Sequence, residues 1–156
     1  MALNGDGVWV VNSEEATVSR IDPDTNAVVA SVAVGVSPFA VAVTDDAVWV
    51  GNSEGGDVSR IDPERNDVVA TVPLRSFPGG IAADEDEVWV AGFDDGSVTV
   101  IDPDTNLVDQ VIEVGPPLNG IALTADAAWV PSPSAGTATR IDRATPQVAP
   151  PTPPGT

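Results

Sequence analysis

Any chemistry in this sequence falls to carboxylate and guanidinium groups. Asp and Glu together number 24, the six basic residues are all Arg, and the formal net charge is −18. There is no His and no Cys. Their absence removes the commonest general base, the usual zinc ligands, the thiol nucleophile and every disulfide. What remains is hard oxygen, suited to Ca²⁺. The densest cluster runs from Asp84 to Glu87, with Asp84 and Asp86 as the candidate cation ligands. No Asp-x-Asp-x-Asp-Gly loop is present, and a solubilising turn surface explains the cluster without a metal. The reading is therefore no cofactor, with Ca²⁺ at Asp84 and Asp86 as the one alternative.

Three of the arginines, Arg20, Arg60 and Arg140, occupy one repeated position, where Val100 takes the remaining slot. Nearby turn acids are their expected partners, in surface pairs of about 0–1 kcal/mol each. A substrate-binding arginine row is the alternative. Gly55-Gly56 and Gly79-Gly80 read as turn glycines, and neither pair lies between a strand and a helix, so no phosphate cradle follows. An acidic surface repels nucleic-acid phosphates and anionic membranes. No run approaches the roughly 18 apolar residues that span a bilayer, and the first twenty residues lack a basic start with an apolar run. Nucleic-acid binding and membrane insertion are not expected.

The elements that position these groups come from an internal repeat. Trp9, Trp49, Trp89 and Trp129 are forty residues apart without a gap. Ile21-Asp22, Ile61-Asp62, Ile101-Asp102 and Ile141-Asp142 keep the same spacing. Pro23, Pro63 and Pro103 follow, then Asn26, Asn66 and Asn106; the fourth copy has Arg143 and Pro146 instead. Within a copy the hydrophobic period is two. Runs such as Val41–Val43, Val48–Val50, Val58–Ile61 and Val68–Val72 read as four short strands. Asp, Pro and Asn between the third and fourth runs specify a tight turn. Hydrophobic residues make up 42% of the chain, enough for a core despite the charge. Four antiparallel strands per forty residues is the size of a propeller blade. Ala42, Ala82 and Ala122, with Ala2, suit a narrow innermost strand, and the Trp ladder supplies large filler between blades.

The segments VWVGN at 48–52, VSRID at 58–62, VVATV at 68–72 and PGGIA at 78–82 resemble the YVTN family of β-propeller repeats. The resemblance covers residues 1 to about 148 and implies an all-β propeller. Blades fall at about 1–36, 37–76, 77–116 and 117–148, with a proline-rich tail over 149–156. Such repeats occur in surface-layer proteins, in extracytoplasmic sensor or scaffold domains, and in relatives of streptogramin lyase. That lyase activity needs a catalytic His, which this chain lacks. The resemblance thus implies an extracytoplasmic or secreted setting within a larger protein. Four blades can close as a small ring, two chains can join as an eight-bladed homodimer, or the four blades can be an open part of a longer chain.

Strand order sorts the loops onto two faces. One carries Asp6, Asp45, Asp46 and Asp84–Glu87 beside the turns at Asp22, Asp62 and Asp102, and is strongly acidic. The other carries Val36–Phe39, Arg75–Pro78 and Pro116–Asn119, which are less acidic, more apolar and different in each copy. Varied loops on a regular scaffold suit recognition. Phe39, Arg75, Phe77, Leu118 and Asn119 are the expected contact residues, since aromatics and Arg favour interface cores. The competing role for the Phe residues and Leu118 is to plug blade seams. The expected function is a non-enzymatic scaffold or recognition module with a protein partner or self-association. A carboxylate-metal lyase or hydrolase, and a purely structural or engineered repeat array, are the alternatives.

Overall fold

Short alternating runs, many of them stopped by Asp, Asn or Gly, give fifteen strands among the described residues. The computed structural model describes residues 1–4, 7–115 and 117–152. Asp6 of the acidic row, Pro116 of the expected binding loop and tail residues 153–156 lie outside them. The first sheet comprises β1 (Ala2–Asn4), β2 (Gly7–Asn12), β3 (Thr17–Asp22) and β4 (Ala27–Ala33). The second comprises β5 (Pro38–Val43), β6 (Val48–Asn52), β7 (Asp57–Asp62) and β8 (Asp67–Pro73). The third comprises β9 (Pro78–Ala83), β10 (Val88–Gly92), β11 (Ser97–Asp102) and β12 (Leu107–Glu113). The fourth has β13 (Ala122–Leu123), β14 (Ala127–Ser132) and β15 (Thr137–Asp142). Each sheet is an antiparallel meander in sequence order.

The turn between the third and fourth strands follows from its residues. Asp22 Oδ1 accepts the amide N–H of Asp24 at 2.8 Å, and Asp62 and Asp102 accept those of Glu64 and Asp104 at 2.9 and 2.8 Å. The Asn that ends each turn sits at φ 54–57°, a left-handed backbone that Asn tolerates. These carboxylates are turn-formers. The N–H groups of Asp24 and Thr25 hold the Asp22 carboxyl below its ordinary range, and those of Asp104 and Thr105 do the same for Asp102.

The tail departs from expectation. Instead of leaving the fold at residue 149, it runs antiparallel to β15 through bridges Ile141↔Val148 and Ala138↔Thr152. The Ala149 and Thr152 amides donate to Arg140 and Ala138 carbonyls at 2.8 and 2.9 Å. This is the register of Ile21↔Val28 and Val18↔Val32 in the first sheet, so residues 148–152 take the outermost-strand position of the last blade through two isolated bridges. Pro150 and Pro151 have no N–H to pair, which an edge position permits.

The sheets pack face to face through three apolar seams. Trp9, Val18 and Val32 meet Val48, Val50 and Ile61. Trp49, Val58 and Val72 meet Val88, Val90 and Ile101. Trp89, Val98 and Ile112 meet Ala128, Val130 and Ile141. The innermost-strand alanines lie directly opposite a Trp (Ala42↔Trp49, Ala82↔Trp89). Among the described residues no apolar cluster joins the fourth sheet to the first: the arc is open, not a closed four-blade ring. Gly79 and Gly80 lie in β9 and not in a turn. A Cβ on Gly80 would stand 2.5 Å from Gly120 Cα, so glycine there allows two innermost segments to touch.

Candidate binding cleft

Repeat position by repeat position, the loop face is built from the same bonds with different side chains. Ser13 and Ser53 each donate a hydroxyl to the first proline carbonyl of the next innermost strand, Pro38 at 2.6 Å and Pro78 at 2.8 Å. The third copy replaces this Ser with Phe93, whose amide donates to the Phe77 carbonyl at 2.8 Å. Asp94 Oδ1 accepts the Phe77 amide at 2.8 Å, so the backbone of Phe77 is held on both sides. A register shift between Pro38 and Ala40 turns Phe39 out of its ladder.

These three residues line one cleft. Phe39, Phe77 and Phe93 are 58%, 50% and 54% exposed. With Pro78, Gly79 and Asn119 they frame a cavity of about 320 Å³ that also touches Ser53 and Glu54. They are all the phenylalanines the chain has. Gly79 makes room: a Cβ there would lie 3.0 Å from Phe93 Cβ and 2.8 Å from the Leu118 carbonyl oxygen.

The structure brings three of the five expected contact residues, Phe39, Phe77 and Asn119, to this cleft. Arg75 stands apart, exposed, with Nη2 3.1 Å from Glu113 and 3.8 Å from Asp95. Leu118 is fully buried in the seam between the third and fourth sheets, which places it as filler and not as a contact residue. It occupies the repeat position of Pro38 and Pro78, both buried, and that equivalence was readable beforehand. Sequence reasoning missed Phe93. Its signal was the Ser13–Ser53–Phe93–Pro133 column, where a large apolar side chain replaces a small polar one.

The charged groups chiefly join sheets. Arg20 Nη1 donates to the Pro63 carbonyl at 2.6 Å and to Asn66 Oδ1 at 3.3 Å. Arg60 does the same with Pro103 at 2.6 Å and Asn106 at 3.0 Å. Their guanidinium groups lie 5.4 and 5.1 Å over the rings of Trp9 and Trp49. The expected acid pair forms at Arg140, which reaches Asp126 at 2.9 Å, and is secondary at Arg60, which reaches Asp46 only at 3.4 Å. What Arg20 and Arg60 grip is the turn of the following sheet.

The cation candidates are engaged in the same kind of work. Asp84 Oδ1 accepts the N–H groups of Asp86 and Glu87 at 3.1 and 3.0 Å, and Oδ2 lies 2.6 Å from Arg143 Nη1. Arg143 Nε also meets Glu87 Oε2 at 2.9 Å. Partial burial pushes the Asp84 carboxyl up, but Arg143 and the two amides outweigh it and hold it below its ordinary range. Among the described residues no three acidic side chains gather as a cation site.

No protein-family model matches the chain, and no curated protein matches it. Solved structures do. Hydrazine synthase of Kuenenia stuttgartiensis superposes with a TM-score of 0.86 at 21% identity, over 94% of this chain and 46% of that one. The Pan2 WD40 domain of Neurospora crassa gives 0.80 at 15% identity, over 97% and 50%. U3-55K gives 0.79 at 10%, over 92% and 47%. The chain therefore spans about half the length of the solved chains it matches. Sequential antiparallel sheets stacked on Trp seams, and these likenesses, make the fold a β-propeller arc of four blades.

Proposed function

We propose that this chain is a non-catalytic recognition module that holds a protein partner in the cleft of Phe39, Phe77 and Phe93. One observation carries the reading: a chain with 4% aromatic residues places every Phe, about half exposed, around one cavity. A buried aromatic side chain covers about 150–250 Å². Covering the exposed half of three would remove roughly 300 Å² from water, a gross gain of about 7 kcal/mol before ordering costs. Glu54 lines the cleft, Asp94 lies beneath Phe77, and the chain carries −18 overall. The complementary ligand is thus a segment with an apolar anchor between basic residues. Likeness to WD40 propellers supports a scaffold role, and the YVTN resemblance supports a place outside the cytoplasm within a larger protein.

The test is selection of displayed random peptides on the wild type and on a Phe39→Ser/Phe77→Ser/Phe93→Ser variant. Phe93→Ser restores the residue of the first two copies, so folding should persist and a melt will check it. Enriched peptides should carry Phe, Leu, Met or Trp flanked by Lys or Arg, and the variant should lose them. Absence of enrichment, or equal enrichment on a folded variant, would overturn the proposal.

A further inference from the structure

Three seams inside the chain define what a fourth would look like. Each joins a Trp-bearing face to the next sheet's face of two small aliphatic residues and an Ile. The chain carries one unmatched face of each kind. Trp129 is 37% exposed, where Trp9, Trp49 and Trp89 are 0%. Val8, Val10 and Ile21 of the first sheet are half-buried, where their counterparts Val48, Val50 and Ile61 are fully buried. Beside Trp129 lies a groove lined by Ala122, Pro131 and Ala138, on the face that in the second sheet receives the third.

A polar matching follows the same order. An Arg on a third strand donates to the Pro carbonyl and Asn side chain of the following sheet's turn. The third sheet has Val100 in the Arg position, and the fourth sheet's turn has Arg143 and Pro146 in place of Pro and Asn. The Arg donor and the Asn side-chain acceptor are missing together at that seam, where Arg143 reaches back to Asp84 and Glu87 instead. Arg140 restores the donor on the last sheet. Its matching turn, by the repeat, is Pro23 and Asn26 on the first. Among the described residues Arg140 pairs with exposed Asp126 at 2.9 Å and half-buried Asp142 at 3.8 Å.

We infer that the fourth sheet docks on the first sheet of a second copy of this chain, with Trp129 covering Val8, Val10 and Ile21 and Arg140 donating to the Pro23 carbonyl and Asn26. The arc has propeller packing and about half the length of the propeller chains it matches. A head-to-tail contact made twice by two copies therefore closes a ring and leaves neither face exposed. Charge repulsion at −18 per chain opposes this docking, so salt promotes it. The inference is independent of the cleft.

Light scattering on a sizing column tests it with the full chain, at low and molar salt and over a range of concentrations. The expected particle in molar salt has twice the mass of the 15.9 kDa chain. In that dimer Trp129 becomes inaccessible to acrylamide, whereas the monomer should show one quenchable Trp. Trp129→Asp and Val10→Asp should each give a monomer, with circular dichroism confirming the fold. Mixing the two variants should restore a dimer through the one joint that retains both native faces. Arg140→Val should weaken association by about tenfold or more, the scale of a charge-assisted bond to a buried partner. A monomer under all conditions, with Trp129 still quenchable, would overturn the inference and assign the two faces to other chains. So would a dimer that survives Trp129→Asp, or one that Val10→Asp leaves intact.

Discussion

Arg60 offers the sharpest test of how the blades are held together. Its side chain is 18% exposed. It donates to the Pro103 carbonyl at 2.6 Å and Asn106 Oδ1 at 3.0 Å, and it lies 5.1 Å over Trp49. Arg60→Ala removes a charge-assisted hydrogen bond across the seam, worth about 1.5–3 kcal/mol. It also removes a cation–π contact of about 0.5–1 kcal/mol. The Asp46 partner is 67% exposed and contributes about 0–1 kcal/mol at most. Because one side chain makes all these contacts they are not additive, and the expected loss is about 2–3 kcal/mol. At roughly 2–4 °C per kcal/mol for a chain of this size, the midpoint should fall by about 4–12 °C. Urea titration gives the free energy if the slope is unchanged. Asp46→Ala should cost less than about 0.5 kcal/mol, as surface changes usually do. If Arg60→Ala costs no more than Asp46→Ala, Arg60 is a surface ion pair and the seam argument fails.

Two further outcomes are expected. Leu118→Ala should destabilise by about 2–5 kcal/mol, as deletion of a fully buried Leu does, and urea melts of this variant beside Phe93→Ser should show the loss in the former alone. The Asp84 carboxyl is held below its ordinary 3.8 in the folded chain, so it favours folding above that pH. Its contribution is lost as pH falls through the depressed value, because the unfolded chain binds the proton first. Asp84→Asn should flatten that part of the acid limb in melts taken below about pH 5. An unchanged slope would show that the Arg143 contact does not hold the proton off.

The fold was legible because repetition multiplies weak signals. A single run such as Val48–Val50 is ambiguous between strand and helix, but four copies in one register are not. The Asp-Pro-x-x-Asn turn also declared its chemistry, since Asp accepts two amides and Asn tolerates a left-handed backbone. The arginine contacts were illegible for a definite reason. Their shortest bonds go to main-chain carbonyls more than forty residues away, and a carbonyl leaves no mark in the sequence. Leu118 lies in a varied, apolar loop that suits either a contact or a seam plug, and its column, which holds two buried prolines, points to the plug. The tail illustrates composition set against register. Five prolines between 146 and 154 suggest an extended end, but pairing at Val148 and Thr152 needs only the amides that prolines leave free.

The departures from the repeat are not scattered, and their placement is informative. Val100 replaces the arginine where Pro146 replaces its Asn acceptor, and Arg143 supplies a reversed ion pair to Asp84 and Glu87. Phe93 replaces Ser where Gly79 opens the space beside it and Leu118 fills the seam below. Both sets of changes lie at the third sheet and its contact with the fourth, and the cleft lies at its rim. Independent drift would leave orphaned halves: an Arg facing no carbonyl, or a Phe facing a Cβ. Here each loss is matched by its partner's change across the sheets, because a donor without an acceptor or an overpacked seam costs stability directly. The seams between the first three sheets keep the arginine grip, and the third-to-fourth seam replaces it with other contacts. The regular blades thus provide the stiffness, and the altered seam provides a surface that differs from the rest of the repeat.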